Sequence, residues 1–321
     1  MQRDLTPPTA ATLRPARRRR PGGRDELAFW TFVGPLVLGL VAFILVPMGW
    51  GLLLSFSEAR ASIDLGRWVG WENYRTLLAD PGYLGALKTA VIFAVFIVPT
   101  TFFLSLGLAM LVNSTRIGRA FFRSVFFLPT AVSYVVASLI WKLGLFSGVS
   151  FGIANKALLA LGLDTIAWTS SLPWVWVALI SVRLWLQIGF NMLLFIAGLN
   201  EIPASLYEAA KMEGAERGWA VFRFITLPML RNTSVFVLFT TVVAGFQSFD
   251  EFYNVLGSVN GGSSAAAALG ARPPLWYLYD TAFASQDYGQ ATAGAFILTA
   301  LILVVALVQS RIVGLGRATD E

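Results

Sequence analysis

The chain has 321 residues, of which 56% are apolar and only 13% are charged. Soluble domains carry about a quarter charged residues, so this composition indicates an integral membrane protein. Cys and His are both absent, which excludes disulfides and removes the commonest metal ligand and the usual acid-base group at neutral pH. The net charge of +6 does not indicate a nucleic-acid partner, because the basic residues flank apolar runs, as membrane topology signals do.

The N-terminal stretch, residues 1–27, is rich in Pro, Thr and Arg and includes an unbroken run of arginines at 17–20. It has no apolar periodicity, and this composition predicts a disordered basic tail. The apolar stretch that follows, residues 28–56, is far longer than the about 7 to 15 residues of a signal-peptide core. It is therefore predicted to remain in the protein as a first membrane span.

Six apolar stretches are long enough for the about 20 residues that a helix needs to cross a bilayer. They are residues 28–56, 85–112, 121–143, 174–199, 234–255 and 291–313. Segments on the side that includes both termini carry more than twice as many Lys and Arg residues as segments on the other side. The positive-inside rule therefore predicts cytoplasmic termini. The sequence predicts an all-α membrane protein with six transmembrane helices in residues 28–315 and a short cytoplasmic tail, 316–321.

A charged segment, from Leu206 to Leu230, interrupts the apolar pattern between the fourth and fifth spans. So many charges are costly in hydrocarbon, so the segment is expected in the cytoplasm. Gly214 divides it into two predicted helices, and Pro228 is expected to end the second, which begins near Trp219. Apolar residues recur at helical spacing in the first helix and predict a docking face. They are Leu206, Ala209, Ala210 and Met212.

Polar residues also recur at helical spacing inside two of the spans. They are Arg183, Gln187 and Asn191 on the fourth span, and Asp250 and Asn254 on the fifth. One interpretation is that they line a path for a hydrophilic solute such as a sugar, because an intramembrane charge faces protein or water rather than lipid. The alternative is that Arg183 pairs with Asp250 or Glu251 to fix helix packing.

The charged segment also carries a family motif. Glu208-Ala209-Ala210, Gly214 and Ile225-Thr226-Leu227-Pro228 resemble the cytoplasmic EAA loop of permease subunits of bacterial binding-protein-dependent ABC importers. Ten residues separate Gly214 from Ile225, where the family pattern has nine. The resemblance covers most of the chain from about Ala28 onward and includes Gly189-Phe190-Asn191-Met192. It is similar to the carbohydrate-uptake branch, including the first permeases of maltose and glycerol-3-phosphate systems.

The resemblance implies the fold of a type I ABC importer permease, with a coupling loop at 200–230, and a transport subunit rather than an enzyme. ATP and Mg²⁺ would be used by a partner ATPase dimer. This chain itself has no G-x-x-x-x-G-K-[ST] phosphate loop, and no cofactor or metal is expected on it. The implied coupling residues are Glu208, Ala209, Ala210, Met212, Gly214 and Arg217.

The other implied partners are a second permease subunit, an extracytoplasmic solute-binding protein or lipoprotein, a carbohydrate and membrane lipid, all at a bacterial plasma membrane. Three other functions stay open. One is an ABC permease for another polar solute, such as a polyol or a glycerophosphodiester. A secondary transporter would use Asp250 or Glu251 as its ion site, although the chain has no repeated halves. An intramembrane protease would need a further acid, because these two are adjacent and point to different helix faces.

Overall fold

A computed structural model gives the structure of the protein and describes residues 23–115, 117–148, 152–214, 218–257 and 262–313. Every regular element in these ranges is a helix, apart from two isolated bridges between Ser57 and Trp68 and between Arg60 and Asp287. The all-α prediction is confirmed. The predicted tails lie mostly outside the described residues, and the first helix already begins within the predicted N-terminal tail.

The chain divides into two compact units, which meet in the sequence at Gly51 and Leu52. In the first unit, α1 (Gly23–Leu40) leads through a π-turn (Val41–Leu45) into α2 (Val46–Ser55), whose last residues belong to the second unit. The stretch Leu27–Ser55 is long and apolar enough to cross a membrane. This agrees with the predicted span 28–56.

The second unit holds the remaining described helices. In chain order they are α3 (Glu72–Ala79), α4 (Pro81–Ser114), α5 (Arg119–Phe127), α6 (Tyr134–Ile140), α7 (Ile153–Ala160), α8 (Trp174–Glu201), α9 (Ala204–Met212), α10 (Trp219–Val221), α11 (Leu227–Met229), α12 (Arg231–Phe246), α13 (Asp250–Leu256), α14 (Gly262–Ala268), α15 (Pro274–Tyr279) and α16 (Tyr288–Val313). Shorter turns join some of them, namely a 3₁₀-turn at Leu128–Ala131 and π-turns at Trp141–Leu145, Phe222–Thr226 and Asp280–Ala284.

Three helices of the second unit, α4, α8 and α16, are each long and apolar enough to span a bilayer without a break. They match the predicted spans 85–112, 174–199 and 291–313. The start of α4 is fixed by Asp80, whose carboxylate accepts a hydrogen bond from the Gly82 N–H at 2.7 Å. Such an acceptor satisfies one of the N–H groups that have no partner inside the first turn.

The other two predicted spans are bent rather than straight. Residues Arg119–Ala131 and Tyr134–Leu145 meet at 97°, so the predicted span 121–143 is two helices. The break falls after Pro129, where Val132 and Ser133 take extended ψ angles of 135° and 142°. Proline has no N–H to continue the helical ladder, and hydropathy does not register such a break. Counting each bent pair as one span, the described chain holds up to six.

The fifth predicted span, 234–255, is wrong at both ends. Helix α12 ends at Phe246, and α13 is a separate short helix after Phe249, whose φ of −144° is not helical. On the other side, Trp219–Met229 forms a helical run that meets Arg231–Phe246 at 71°. Pro228 does not end this run, because it lies in the first turn of α11, where a missing N–H costs nothing.

Helix α8 is the central element of the second unit. It packs along α4, and α12 packs against both. One buried cluster lies toward the start of α8 around Leu179 and Phe252, and another lies toward its end around Phe195 and Leu230. Between them α8 crosses α5 so closely that a Cβ placed on Gly189 would lie 1.8 Å from the Phe126 carbonyl oxygen. This packing leaves a cavity beside the middle of α8.

Candidate functional site

The cavity beside α8 has a volume of about 250 Å³ and is enclosed by the break between α5 and α6, the middle of α8 and the last turns of α12. Its lining combines hydroxyl, amide and aromatic groups with a few aliphatic ones. The lining residues are Thr130, Val132, Tyr134, Leu186, Gln187, Phe190, Asn191, Thr240, Thr241 and Ala244. Both bent spans therefore contribute to the same cavity.

Two of the predicted path residues, Gln187 and Asn191, lie in this lining, one helical turn apart. The Gln187 side-chain amide donates to the Tyr134 hydroxyl at 3.3 Å, and Asn191 donates to the Gln187 main-chain carbonyl at 3.0 Å. The Gln187 Oε1 is buried without a hydrogen-bond partner. An unpaired buried acceptor costs free energy, so a ligand hydroxyl that reached this atom would be stabilised by it.

Arg183 lies one turn nearer the start of α8 and is committed to other protein groups. Its Nη1 is 2.9 Å from Glu251 Oε1, and its Nη2 donates to the Ala244 carbonyl at 2.5 Å. The guanidinium also stacks over the Tyr134 ring at 4.9 Å from the centroid. The side chains of Arg183 and Glu251 are 7% and 0% exposed. The sequence left open whether Arg183 pairs with Asp250 or with Glu251. In the structure it pairs with Glu251.

The predicted path residues on the fifth span, Asp250 and Asn254, are not in the lining of this cavity. They lie on α13, beyond the break that ends α12 at Phe246. Asp250 is exposed, and the Asn254 amide donates to the Asp250 carbonyl at 2.7 Å within its own helix. The break rotates α13 away from the register that a continuous helix would have given it.

Sequence reasoning missed several lining residues, including Tyr134, Thr130 and the pair Thr240-Thr241. Tyr134 is the one Tyr in the predicted third span, and the two threonines form a polar interruption in an apolar run. Either feature could have marked these residues. No group of three or more acidic residues in the described ranges could hold a metal ion, so nothing there adds a metal ligand set to the cavity.

The predicted coupling segment contains α9, which ends at Met212, and Gly214 follows two residues later. Gly214 has φ +85°, and its N–H donates to the Lys211 carbonyl at 3.1 Å. Glycine adopts this left-handed conformation without steric cost. A Cβ placed on Gly214 would meet nothing within 4 Å. The conformation, rather than crowding inside this chain, therefore requires glycine.

The side chains of α9 divide between solvent and the body of the protein. Glu208 and Ala209 are exposed and Met212 is 89% exposed, whereas Ala210 is buried against its own chain. Ala210 therefore does not belong to the exposed face of α9 that was expected to fill a groove on a partner. Arg217 lies outside the described residues.

The second half of the segment packs back on α9. The Tyr207 hydroxyl lies 3.2 Å from the Thr226 hydroxyl, and Phe222 and Tyr207 pack against one buried cluster. Trp219 and Phe224 remain 71% and 74% exposed. Large apolar side chains exposed in a group indicate a surface that contacts lipid or a partner.

Comparison with known proteins identifies the family. Residues 101–315, about two thirds of the chain, match the family described as the binding-protein-dependent transport system inner membrane component. The chain belongs to this family. It is therefore a multi-pass permease, the membrane component of an ABC transporter and not an enzyme, and ATP hydrolysis belongs to separate subunits of such systems.

Two curated permeases illustrate the similarity. The lactose transport system permease of Rhizobium radiobacter is 31% identical over 87% of this chain and 92% of its own length. The diacetylchitobiose uptake system permease of Streptomyces coelicolor is 32% identical over 93% of this chain and 85% of its own. A chain in the crystal structure of a bacterial alginate ABC transporter, in complex with an alginate pentasaccharide-bound periplasmic protein, aligns with a TM-score of 0.78. It covers 93% of this permease and 98% of that chain at 20% identity, and so has the same fold.

Proposed function

We propose that this permease forms half of the translocation path of an ATP-driven importer for carbohydrate. The observation that carries the proposal is its identity of 31% and 32%, over most of both chains, to permeases named for lactose and diacetylchitobiose uptake. These two solutes are both carbohydrates built from linked sugar rings. A solute of the same class therefore explains the similarity with the fewest assumptions.

The chemistry of the cavity supports a sugar. Hydroxyl and amide groups of Tyr134, Gln187, Asn191 and Thr241 line it beside the ring of Phe190. A pyranose offers hydroxyls around its edge and an apolar face of C–H groups, so it needs both kinds of partner. Ligand sites generally combine an apolar wall with a few placed polar groups. Asp250 and Asn254, outside the cavity, stay candidates for the end of the path beyond α13.

Coupling to the ATPase is assigned to the segment 200–230. Its exposed residues Glu208, Ala209 and Met212 would contact a groove on the ATPase, joined by Trp219 and Phe224 from the second helix. Apolar side chains of 70% exposure and more support this role, because burying them in a partner stabilises the complex. Arg217 and the turn at Gly214 would complete the contact at the rim of the groove.

The complete transporter would contain a second permease subunit, two ATPase subunits that use ATP and Mg²⁺, and an extracytoplasmic solute-binding protein. The excess of Lys and Arg on the side of both termini supports cytoplasmic termini in a bacterial inner membrane. The coupling segment would then lie on the side where ATP is present. The segments around Trp68 and Trp276 would face the solute-binding protein.

The test is uptake by the complete complex in liposomes, with a panel of labelled di- and oligosaccharides. Replacing Gln187 by Met keeps the size of the side chain and removes its amide. We expect KM for the transported sugar to rise about tenfold, because one hydrogen bond contributes about 1 kcal/mol or slightly more. The maximal rate should change little, since the Arg183 contacts remain.

Gln309→Met is a matched control, because the Gln309 amide is also buried without a partner but lies on α16 away from the cavity. It should leave KM unchanged. Equal effects of the two substitutions would argue against the cavity as the sugar site. Uptake of polyols or glycerophosphodiesters, with none of any sugar, would replace carbohydrate by the second solute class. Gradient-driven uptake by this chain alone would instead identify a secondary transporter.

A further inference from the structure

The ion pair between Arg183 and Glu251 lies beside one end of the cavity. Arg183 lies one turn beyond Gln187 toward the start of α8, and Ala244, which accepts its hydrogen bond, is the last lining residue of α12. Glu251 comes from α13, past the break. The contact between these three residues thus lies next to the cavity on the side of α13.

A single arginine on the unbroken helix α8 thus holds the broken ends of two other spans. It stacks on Tyr134, the first residue of α6. It also binds the Ala244 carbonyl, which an unbroken helix would pair with the N–H of Ser248. That N–H instead bonds weakly to Gly245 at 3.4 Å. The break thereby frees an acceptor, and Arg183 occupies it only while α12 and α8 remain together.

The pair is buried but incompletely satisfied. Arg183 Nε and Glu251 Oε2 have no hydrogen-bond partner, and neither has the nearby Ser248 hydroxyl. Burying two charges costs more than their attraction returns unless the remaining donors and acceptors are also paired. If water entered, it would satisfy these atoms and lower the cost of separating the charges. A dry, paired arrangement and a wet, separated one therefore differ less in free energy than they would if every atom of the pair were satisfied.

We propose that Arg183 and Glu251 form a gate, which closes the cavity toward α13 and separates during each transport cycle. The proposal rests on the proposed function only in taking the cavity as part of the path, and not on the solute's being a sugar. Residues 247–249, between α12 and α13, are the point at which α13 can move relative to α12. Glu251 acts here as a positioning residue, since it holds Arg183 across the entrance.

The absence of Cys from the sequence allows a direct measurement. Ala244→Cys places a single reactive group of this chain in the cavity wall, behind the pair. The purified complex with its partner subunits, in lipid nanodiscs, is treated with a charged thiol reagent, and modification of this chain is followed by mass. We expect slow labelling at rest and labelling about tenfold faster during ATP turnover with substrate-loaded binding protein, or after Glu251→Gln, as loss of one charge-assisted contact predicts.

Two further variants separate a gate from a packing role. Glu251→Asp keeps the charge and should restore slow labelling at least in part. Asp280→Asn breaks another ion pair away from the cavity, Arg272–Asp280 at 2.8 Å, whose side chains are 19% and 25% exposed. It should leave the labelling rate of Ala244→Cys at its resting value. Acceleration by Asp280→Asn equal to that by Glu251→Gln would contradict the proposal, because general loosening would then explain both.

Labelling of Ala244→Cys with Arg183 and Glu251 intact tests the gate even if Glu251→Gln fails to assemble. Fast labelling of Ala244→Cys at rest, or equal rates at rest and during turnover, would overturn the gate. Neither result depends on which solute is carried. A gate that opens in a complex that transports no sugar would leave this inference standing and reject the proposed substrate class.

Discussion

Gly214, at the end of α9, shows how one backbone angle bears on a partner that is outside this chain. Its φ of +85° lies in the left-handed region, and the space around it is empty within 4 Å. Other residues pay about 1–2 kcal/mol for that conformation. A Cβ at this position meets no described atom of this chain, so the conformation is the cost of a small side chain here. With the proposed coupling role, a dependence on side-chain size would come from a contact with the ATPase.

Gly214→Ala should lower the uptake rate moderately, and Gly214→Trp should abolish uptake while insertion and assembly of the membrane subunits persist. Both are measured by uptake in cells, with the amount of complex checked on gels. Gly162→Trp is the matched control, because Gly162 also has a positive φ of +76° and open space around it, but lies in a predicted extracytoplasmic segment. Equal uptake by the Ala and Trp variants of Gly214 would mean that no ATPase surface lies opposite it.

The sequence predicted some polar residues of the cavity and missed others, for a physical reason. Helical spacing placed Gln187 and Asn191 on one stripe, and α8 is straight, so both line the cavity. It could not choose the partner of Arg183, because Asp250 and Glu251 differ by about 100° around a helix, and the break at 247–249 sets which one turns inward. The Tyr134 stacking contact depends on a bend that composition does not reveal.

At the scale of elements, the close crossing of α5 and α8 fixes one wall of the cavity. The crossing is possible only because residue 189 is glycine, since a Cβ there would lie 2.6 Å from the Phe126 carbonyl carbon and 2.9 Å from the Phe127 Cα. Backbone atoms cannot turn aside as a flexible side chain can. The glycine of the Gly189-Phe190-Asn191-Met192 motif is thus explained by packing, while Asn191 of the same motif faces the cavity.

Gly189→Ala should destabilise the permease by about 1–3 kcal/mol or more, the usual cost of overpacking a core. A lower melting temperature of the detergent-solubilised complex, followed by size-exclusion chromatography after heating, would show it. Gly107→Ala is the control on α4, because a Cβ there meets nothing within 4 Å and alanine favours the helix. An unchanged melting temperature for Gly189→Ala would contradict the close crossing.

The sequence predicted the straight spans well and the bent spans poorly. Helices α4, α8 and α16 are long uninterrupted apolar runs, and hydropathy located them to within a few residues. It failed where the chain bends inside a predicted span, at 132–133 and at 247–249. Apolar composition continues across 132–133, where only the backbone angles show that the helix has stopped. At the second bend Gln247 and Ser248 are polar, but they were not enough to end the predicted span.

At the scale of the whole molecule, the asymmetry of positive charge predicts the orientation. A green fluorescent protein fused after Glu321 should fluoresce, because it folds in the cytoplasm. Alkaline phosphatase fused after Asp164 should be active, because it requires the oxidising side of the membrane, and the same fusion after Lys211 should be inactive. The reverse pattern of phosphatase activity would invert the topology and move the coupling segment to the wrong side for ATP.

The contact between α8 and the start of α12 is the point about which α12 can rotate. A Cβ placed on Gly198 of α8 would lie 2.4 Å from Thr233 Oγ1 and 3.0 Å from Leu230 Cδ2, so the start of α12 is pressed against α8. The helix has 16 residues and is about 24 Å long. A rotation of about 10° around this pivot moves its other end by about 4 Å. With the proposed coupling role of residues 200–230, such a rotation would turn a small displacement beside the ATPase into an opening wide enough for water at Ala244.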